Sequence, residues 1–219
     1  MKAVVVLSGG QDSATALALA VRRHGADQVA AITFSYGQRH AVETAYAENL
    51  ARSVFRIAAW QCVSLDFYGA VTENALLSKT APIRKGAVCP NTVVEGRNAI
   101  FLQIAAVWAK RLGATEVWTG VSEADFSGYP DCREVFVKAE QRAIRLALDY
   151  PVRIVTPFMH MTKADEWALA DELGILDVID DRTVTCYNGI PGRGCGKCPA
   201  CRLRNRGRRE YLKRKRTAK

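Results

Sequence analysis

The chain has 219 residues, 49% of them hydrophobic and 24% charged, which is the composition of a globular protein and excludes a disordered one. A chain of this length buries a full core without disulfides, and no window reaches the roughly 18 apolar residues that a membrane span needs. The net charge of +9 resides in residues 202–219, which hold ten Lys/Arg and one Glu, because the preceding residues hold 21 basic and 21 acidic residues. The basic character therefore belongs to a tail, and the body is neutral.

Strand and helix patterns alternate along the chain. The predicted strands are residues 3–7, 29–34, 56–65, 116–119 and 152–155. The predicted helices, which carry apolar residues at helical spacing, are residues 13–21, 41–54, 98–112, 134–148 and 162–173. Residues 66–96 lack periodicity and predict a long loop. Strands that alternate with helices are typical of βαβ units, so the predicted fold class is α/β with a doubly wound parallel sheet.

The turn after the first predicted strand is rich in glycine and hydroxyl groups. Ser8-Gly9-Gly10-Gln11-Asp12-Ser13 lies at the carboxyl edge of the sheet, where open α/β sheets bind ligands. Two glycines let the backbone approach a phosphate, and the N–H groups and dipole of the following helix attract it. Ser8 and Ser13 can donate hydroxyls, and Asp12 can hold a Mg²⁺ that neutralises the phosphates. The pattern predicts a phosphate-binding loop that is neither a Walker A nor a dinucleotide motif.

Four of the seven cysteines lie close together near the end of the chain, at Cys186, Cys195, Cys198 and Cys201. Four thiolates with Cys-x2-Cys steps suit a tetrahedral Zn²⁺ and leave no open position for water, so we predict one structural zinc ion per chain. The alternatives are an iron–sulfur cluster, because the spacing is also similar to that of ferredoxins, and a redox pair of cysteines. Clustered cysteines without an export signal favour metal over disulfides, and we expect a cytoplasmic protein with no membrane contact.

The glycine-rich turn resembles the Ser-Gly-Gly-x-Asp-Ser signature of the ATP-pyrophosphatase, or PP-loop, superfamily, whose fold is of the adenine nucleotide α-hydrolase-like type. The resemblance implies an enzyme that cleaves ATP between the α and β phosphorus, forms an adenylate and holds the departing pyrophosphate in the loop. It also implies that Mg²⁺ accompanies the nucleotide. The ATP contacts expected from it are Leu7, Ser8, Gly9, Gly10, Gln11, Asp12, Ser13, Ala14, Thr15, Ala16 and Leu17.

Further segments narrow the resemblance. Residues 34–40, 96–98, 125–133 and 185–189 resemble, in order and spacing, the 7-cyano-7-deazaguanine synthase family over residues 2–206. This family implies two successive adenylations. The first converts 7-carboxy-7-deazaguanine and ammonia to an amide, and the second converts the amide to the nitrile precursor of queuosine. The resemblance therefore implies an ATP-dependent C–N ligase that acts on a free base and does not require nucleic acid.

Three residues are expected to carry the chemistry, namely Asp12, Arg97 and Lys163. Arg97 and Lys163 each stand at a predicted helix start, where a cation opposes the helix dipole, so an anionic partner explains them better than a surface position. The expected substrate contacts are Tyr36, Gln38, Arg39, His40, Arg97, Asn98, Asp125, Ser127, Gly128, Tyr129, Asp131 and Arg133.

Several roles within this set stay open from the sequence. Asp125 and Asp131 can each accept hydrogen bonds from a guanine-like ring, but one of them can instead cap a turn. Tyr36 and Tyr129 can stack on the ring or pack as a lid. Cys132 can be nucleophilic or can only shape the pocket.

The domain division follows from these motifs. We expect a PP-loop ATP-binding domain in residues 1–182, a four-cysteine zinc-binding element in 183–206 and a basic tail in 207–219. The tail is expected to form a solvated helix or a disordered end that catalysis does not need. No glutaminase motif is present, because Lys2 stands where an N-terminal nucleophile would need Cys, so free ammonia is the expected donor. A homodimer is the expected oligomeric state.

Alternatives remain beside this interpretation. A close relative could stop at the amide or transfer the activated base to another amine. Glu95, in a position where the family usually has Pro, and the short segment 76–93 leave that open. A PP-loop tRNA-modifying enzyme would use the basic tail for phosphate contacts, but its sulfur chemistry needs paired cysteines and only Cys132 is a candidate outside the cluster. A non-enzymatic zinc module that binds nucleic acid would leave the loop at residues 8–13 unused.

Overall fold

The structure, a computed structural model, describes residues 1–37, 42–70, 94–123 and 129–217. Within these ranges the strands are β1 (Ala3–Val6), β2 (Val29–Ser35), β3 (Ala59–Ser64), β4 (Glu116–Trp118) and β5 (Arg153–Val155). The α-helices are α1 (Gln11–His24), α2 (Val42–Asn49), α3 (Arg97–Arg111), α4 (Glu134–Leu148), α5 (Lys163–Glu172), α6 (Leu176–Asp181) and α7 (Pro199–Thr217). None of the helices in the described ranges is long and apolar enough to cross a membrane.

The five strands form one parallel sheet in the order β3-β2-β1-β4-β5. Val4 of β1 lies between Ala30 of β2 and Val117 of β4. The strand order therefore reverses between β1 and β4. In a doubly wound sheet, the crevice at the carboxyl ends of such a strand pair is where ligands bind. The predicted doubly wound α/β fold is confirmed.

Successive residues of β1 supply two hydrophobic layers. Ala3, Val5 and Leu7 pack with apolar residues of α1, α2, α5 and α7, whereas Val4 packs with apolar residues of α3 and α4. This alternation follows from the strand period of two, which sends neighbouring side chains to opposite faces of the sheet. Helices cover both faces, so the central strand β1 and its neighbour β2 are almost wholly buried and mostly apolar, whereas the outer strands β3 and β5 include exposed polar residues.

The predicted elements agree with the observed ones to within a few residues, with two exceptions. The helix predicted over residues 41–54 ends as a π-helical turn at Leu50–Val54. Helix α6 was not predicted, and α7 was expected only as one of two alternatives for the basic tail. The start of α5 has a physical cause that the sequence shows. Thr162 accepts a hydrogen bond from the N–H of Asp165, and the Asp165 carboxylate accepts one from the N–H of Thr162, which forms a capping box.

Helix α7 contains most of the basic tail and packs along α5 and α6. The buried Arg204 guanidinium lies 5.0 Å from the ring centroid of Trp167 and donates to the Ile179 carbonyl at 2.9 Å. The Tyr211 hydroxyl donates to Asp171 Oδ2 at 2.6 Å. The tail is thus helical through residue 217, but one of its faces is buried rather than solvated. The proposed domain boundary at residue 206 falls within α7 and stays a prediction.

Candidate active site

The loop between β1 and α1 holds its own shape through its two serines. Their hydroxyls lie 3.0 Å apart, and Ser13 Oγ accepts a hydrogen bond from the Ser8 N–H at 3.1 Å. Ser8 Oγ in turn accepts from the Gly10 N–H at 3.3 Å. The predicted phosphate loop is therefore fixed by its own side chains at the carboxyl end of β1.

Two glycines let this loop pack closely against its neighbours. A Cβ on Gly9, which has a φ of +85°, would lie 2.5 Å from the Glu43 carbonyl oxygen at the start of α2. A Cβ on Gly120, just after β4, would lie 2.9 Å from the carbonyl carbon of Asp12. Gly10 differs, because its Cβ would meet its nearest neighbours at an ordinary 3.5 Å. The loop therefore lies pressed between α2 and the end of β4.

Gln11, the first residue of α1, is buried with an unsatisfied side chain. It is 1% exposed, and neither its Oε1 nor its Nε2 has a hydrogen-bond partner among the described residues. Its backbone N–H donates to Thr185 Oγ1 at 3.1 Å, and the Gly9 carbonyl accepts from the Val184 N–H at 2.9 Å. Such an amide costs about 1–3 kcal/mol and needs a ligand, a water or a catalytic role to explain it.

Lys163 reaches this loop from the first turn of α5. Its ammonium donates to Asp12 Oδ1 at 2.9 Å and to the two Glu166 carboxylate oxygens at 2.9 and 3.0 Å. Lys163 is 7% exposed and Glu166 is fully buried. The structure therefore brings two of the three expected catalytic residues into direct contact across 151 positions of sequence.

Glu166 is a buried acid that the sequence analysis did not identify. Burial raises its pKa well above the usual range, the nearby Asp12 carboxylate raises it further, and the Lys163 ammonium opposes both effects. One ammonium thus serves two carboxylates. The cluster can hold an extra proton, and it keeps the lysine head in one place.

Arg97, the third expected catalytic residue, lies at the start of α3 after Gly96, whose φ is +69°. Its Nη1 donates to the Tyr36 hydroxyl at 3.1 Å, and its guanidinium carbon lies 6.0 Å from the Phe101 ring centroid. Burial would lower the pKa of Arg97, but Tyr36, Tyr129 and Asp131 together raise it above the ordinary value. Arg97 therefore carries a fixed positive charge.

Tyr36 is packed rather than open. It is buried and meets the rings of Tyr68 and Phe101 at centroid distances of 6.5 and 5.5 Å. Burial raises the pKa of Tyr36 and outweighs the opposing effect of Arg97. Its hydroxyl orients the Arg97 guanidinium, which agrees with the packing alternative for this residue.

Asp131 and Asn98 form a link between the 3₁₀ turn at Pro130–Cys132 and α3. Asp131 Oδ2 accepts from the Asn98 backbone N–H at 2.9 Å, and Asn98 Nδ2 donates to the Asp131 carbonyl at 3.3 Å. Asp131 is buried and caps the first turn of α3 with one carboxylate oxygen. Burial, with the Asp131 charge next in size, raises the pKa of the Cys132 thiol to about 11, so this thiol is protonated at neutral pH.

Of the remaining predicted substrate contacts, some lie in the described ranges and the others lie outside them. The Tyr129 hydroxyl lies 3.3 Å from the Tyr187 hydroxyl, which connects the residue before the Pro130–Cys132 turn to the residue after Cys186. Arg133 is exposed, and its Nε donates to the Pro130 carbonyl at 3.0 Å within its own turn. Outside the described residues lie Gln38, Arg39, His40, Asp125, Ser127 and Gly128.

Glu43 is a second acid that the sequence analysis did not identify. It stands in the first turn of α2, and its carbonyl oxygen packs on Gly9 of the loop. Burial raises its pKa from 4.5 to about 7, and the positive charge of Arg97 limits the rise. A proton-exchanging group near neutral pH thus borders the loop.

The four cysteines near the end of the chain form a cluster. The sulfur atoms of Cys186, Cys195, Cys198 and Cys201 all lie within 4.8 Å of one another. Ligands of a tetrahedral zinc ion with Zn–S distances of about 2.3 Å lie about 3.8 Å apart, and the Cys195 and Cys201 sulfurs are 4.0 Å apart. The donor set and its spacing therefore fit Zn²⁺.

Backbone groups around the cluster also suit thiolates. Cys195 Sγ accepts from the N–H groups of Cys198 and Lys197 at 3.3 and 3.4 Å. Burial would raise the pKa of Cys195, but these donors outweigh it and lower the pKa to about 6. A Cβ on Gly194 would lie only 2.3 Å from Cys201 Sγ, so glycine is required where the loop folds over the sulfurs. Such donors orient metal ligands and stabilise their charge.

The residues that sequence reasoning missed differ in how visible they were. Glu166 follows Lys163 by three positions on a predicted helix, and Gly120 directly follows a predicted strand, so both could have been inferred. Thr185 contacts the loop across 174 positions of sequence, and nothing local indicates this contact.

The fold and the site together define a class of protein. A parallel sheet whose strand order reverses at a Ser-Gly-Gly-Gln-Asp-Ser loop is the architecture of the PP-loop nucleotide-binding α/β proteins. The sequence model of the family described as "Queuosine biosynthesis protein QueC" matches residues 2–212. The chain belongs to this family, and the match supports an ATP-using enzyme of queuosine biosynthesis.

The chain is similar to several solved structures at low sequence identity. A 4-thiouridine synthetase in complex with RNA and bound ATP is 18% identical to this chain, with a TM-score of 0.53. The matched region covers 97% of this chain and 50% of the synthetase chain. An NH3-dependent NAD synthetase from Campylobacter jejuni is 17% identical with a TM-score of 0.48 and coverages of 81% and 66%. A predicted subunit of a tRNA methyltransferase from Methanocaldococcus jannaschii is 15% identical with a TM-score of 0.49 and coverages of 78% and 75%. The chain thus spans less than two thirds of the NAD synthetase and half of the 4-thiouridine synthetase.

Proposed function

We propose that the protein converts 7-carboxy-7-deazaguanine and ammonia to 7-cyano-7-deazaguanine by two successive adenylations. The observation that carries this proposal is the contact of Lys163 with Asp12 in the loop at the reversal of the sheet. It places a cation beside the helix N-terminus, which is where a pyrophosphate leaving group would develop charge. The family match over residues 2–212 supports the substrate class.

The first adenylation activates the carboxylate. A carboxylate oxygen attacks the α-phosphorus of ATP, the bond from that phosphorus to the bridging oxygen breaks, and pyrophosphate leaves. Ammonia then attacks the acyl carbon, AMP leaves with one carboxylate oxygen, and the nitrogen loses a proton to give the amide. In this step the N–H groups at the start of α1 and the Lys163 ammonium stabilise the charge on the leaving pyrophosphate.

The second adenylation removes the remaining oxygen. The amide oxygen attacks the α-phosphorus of a second ATP, and pyrophosphate leaves again. AMP then departs with that oxygen while the nitrogen loses its protons, which leaves the nitrile. Glu43 borders the loop with a pKa of about 7, so it is suited to accept a proton in these steps. Glu166 holds Lys163 in place throughout.

Arg97 is the group proposed to bind the substrate carboxylate. Its guanidinium carries a fixed charge and is oriented by the Tyr36 hydroxyl. A planar guanidinium matches a carboxylate in geometry and charge. Asp131 caps the first turn of α3 and so holds the backbone next to Arg97 against the turn at Pro130–Cys132. The other predicted substrate contacts stay predictions outside the described residues, namely Gln38, Arg39, His40, Asp125, Ser127 and Gly128.

Two metal ions belong to the proposal. Mg²⁺ bound by Asp12 and the phosphates would neutralise charge on ATP. Zn²⁺ held by the four cysteines would be structural, because four protein thiolates leave no position for substrate. Ammonia as the donor and a homodimer as the oligomeric state remain part of the proposal.

The chemistry of Cys132 favours this proposal over a sulfur-transferring PP-loop enzyme. A sulfur-transfer reaction needs a thiolate, and the pKa of Cys132 is raised to about 11 by burial and by Asp131. Its Sγ instead accepts from Asn98 Nδ2 at 3.4 Å, which is a structural contact.

The proposal is tested by the ratio of AMP to product. The protein is incubated with ATP, Mg²⁺, ammonium and 7-carboxy-7-deazaguanine, and AMP and the modified base are quantified by mass spectrometry. Two AMP per nitrile are expected. One AMP per amide would move the function to an amide-forming relative, and AMP release that requires bulk tRNA instead of the free base would overturn the proposal in favour of an RNA-modifying enzyme.

A further inference from the structure

Helix α7 touches the backbone and stem of Lys163 at a glycine. A Cβ on Gly207 would lie 2.7 Å from Lys163 Cβ, 2.8 Å from its Cγ and 2.9 Å from its carbonyl carbon. Two of these atoms belong to the rigid part of the residue, so they cannot rotate away as the end of a side chain could. Only a hydrogen atom fits between α7 and the first turn of α5.

The helix that carries Gly207 is fixed on both sides of this contact. On the N-terminal side, the Trp167 indole N–H donates to the Arg204 carbonyl at 3.2 Å, and the Arg204 guanidinium lies over the Trp167 ring. On the C-terminal side, Tyr211 is buried and donates to Asp171. Residues 204, 207 and 211 share one face of α7, and that face lies on α5. Because α7 is held at both flanks, it cannot yield easily at Gly207.

The contact leads directly to the nucleotide loop. The stem of Lys163 touches Gly207, and its ammonium donates to Asp12 Oδ1 at 2.9 Å. We infer that Gly207 is a positioning residue that sets the place of Lys163, so that helix α7 determines how the lysine meets Asp12 and the leaving pyrophosphate. This inference rests on the proposed function of Lys163 as the cation of the ATP site.

The effect of an alanine at residue 207 on the reaction rate can be estimated. An alanine at residue 207 must push Lys163 and α7 apart by several tenths of an ångström, because Cβ contacts under 3.0 Å essentially never occur. Misplacement of a catalytic group by about 1 Å can cost about 10²-fold in rate. Alanine is also more favourable than glycine inside a helix, so α7 itself is not weakened by the change. A loss of activity would therefore come from displacement at Lys163.

A double-mutant cycle tests this connection. Gly207→Ala, Lys163→Met and the double variant are compared with Arg206→Ala, which changes an exposed residue of the same helix. The measurements are kcat and KM for AMP release and the Kd of a non-hydrolysable ATP analogue, with Tm and bound zinc as controls of folding. Gly207→Ala should lower kcat/KM by tenfold or more. The double variant should match Lys163→Met within twofold, since two residues that act through one contact do not add.

Two results would show that Gly207 does not position Lys163. If the losses from the two single variants multiply, or if Gly207→Ala keeps wild-type kcat/KM, Gly207 does not act through Lys163. If Gly207→Ala loses its zinc or unfolds, Tyr211→Phe replaces it, because loss of the hydrogen bond to Asp171 loosens α7 without adding atoms. That variant should show a smaller loss that is again absent in the Lys163→Met background.

The failure of the proposed function can be told apart from the failure of this inference. Binding of the ATP analogue needs no turnover of the deazaguanine substrate. If the wild type forms no nitrile but the cycle in analogue affinity is non-additive, the proposed reaction is wrong and the positioning role of Gly207 stands. Additive effects on analogue affinity in an active enzyme would overturn the positioning role alone.

Discussion

The Lys163 ammonium lies between the carboxylates of Asp12 and Glu166 and makes hydrogen bonds of 2.9 to 3.0 Å with both. Asp12 is part of the phosphate loop, whereas Glu166 lies one helical turn behind the lysine. The buried Glu166 thus orients the lysine, and Asp12 connects it to the place where pyrophosphate would leave. A change at any of these residues should act on the same chemical step.

Lys163→Met should lower kcat/KM for pyrophosphate release by about 10²–10³-fold, because it removes a cation from a site of developing negative charge. The Tm should change less than for a core substitution, since the buried Glu166 can take up a proton when its cation is removed. A pyrophosphate assay with Arg22→Gln, which breaks an exposed ion pair with Glu172, provides the control. Full activity of the methionine variant would show that Lys163 is not part of the ATP site.

Glu43 gives the protein a specific pH dependence of stability. Burial raises its pKa from 4.5 to about 7, so between these values the folded state holds a proton that the unfolded state has lost. Stability from this group is therefore present below pH 4.5 and is lost as the pH rises through 7. The loss is at most about 3.5 kcal/mol, since one pKa unit corresponds to about 1.4 kcal/mol.

Urea denaturation at several pH values tests this effect in Glu43→Gln, which has no such proton. The unfolding free energy of the wild type relative to the variant should fall between pH 5 and pH 8. A difference that stays constant over that range would mean that Glu43 titrates normally.

Single residues were predictable where the chemistry is local. Asp12 and Lys163 could be selected because each lies at the start of a predicted helix. The structure brings the two side chains into direct contact. Glu166 could be recognised as a partner three positions after Lys163, but its complete burial could not, because no local pattern indicates it. The cap formed by Asp131 on α3 likewise joins segments that are 33 positions apart.

At the level of elements, the two glycines of the loop have different tasks. Gly9 has a φ of +85° and leaves no space for a Cβ beside the Glu43 carbonyl, whereas Gly10 has an ordinary φ of −82° and ordinary contacts. Gly9→Ala should therefore weaken ATP binding at least tenfold and destabilise the fold by about 1–3 kcal/mol through backbone strain. Gly10→Ala is the matched control and should fold like the wild type. Calorimetric titration with an ATP analogue and thermal melts decide the point, and equal behaviour of the two variants would contradict it.

The cysteine segment is expected to depend on its metal. The four sulfurs have the spacing of a zinc site, and without a cation their charges would repel one another. Elemental analysis should find one zinc per chain, and chelation or Cys186→Ser should remove it and lower the Tm. Cys62→Ser, outside the cluster, should keep the metal. Iron in place of zinc, or an unchanged Tm after metal removal, would contradict a structural zinc site.

The elements that were predicted share strong local patterns, whereas α6, which was missed, and α7, which was only one alternative for the tail, do not. Apolar β-branched runs fix the strands, and the capping box at Thr162 fixes the start of α5. Helix α6 has only six residues and follows Gly174 closely, so its pattern is too short to recognise. Helix α7 is a run of like charges that is held in place by residues far away in the sequence, namely Trp167, Asp171 and Ile179.

For the whole molecule, the basic charge of the tail divides between two faces of α7. Arg204 and Arg208 pair with Asp180, and Arg214 pairs with Asp165. The opposite face carries exposed cations at positions three or four residues apart, none of which forms an ion pair within the described part of the chain. These outer residues are Arg202, Arg206, Arg209, Lys213 and Arg216.

Replacement of all five outer cations by glutamine should leave kcat and KM for the free base within twofold of the wild type, because they contact none of the groups of the site. Steady-state assays at low and at physiological salt check this. Salt screens long-range electrostatic attraction, so an effect of these cations on the substrates would be largest at low salt. A tenfold rise in KM at low salt would show that the outer face attracts the anionic substrates.

The doubly wound topology was predictable for the whole molecule, but its consequence for the tail was not. Alternating strands and helices predict the sheet, and the reversal at β1 predicts where the ligand binds. The return of the last helix to the active site brings residue 207 against residue 163, a contact between distant residues that no local pattern shows.

Two successive adenylations require that both carboxylate oxygens of the substrate leave on AMP. Conversion of 7-carboxy-7-deazaguanine labelled with ¹⁸O in both carboxylate positions follows these two oxygens. After complete conversion, mass spectrometry should find an unlabelled nitrile, one ¹⁸O atom in each AMP and none in pyrophosphate. Label in pyrophosphate or in inorganic phosphate, or an amide that retains one ¹⁸O as the final product, would contradict two successive adenylations.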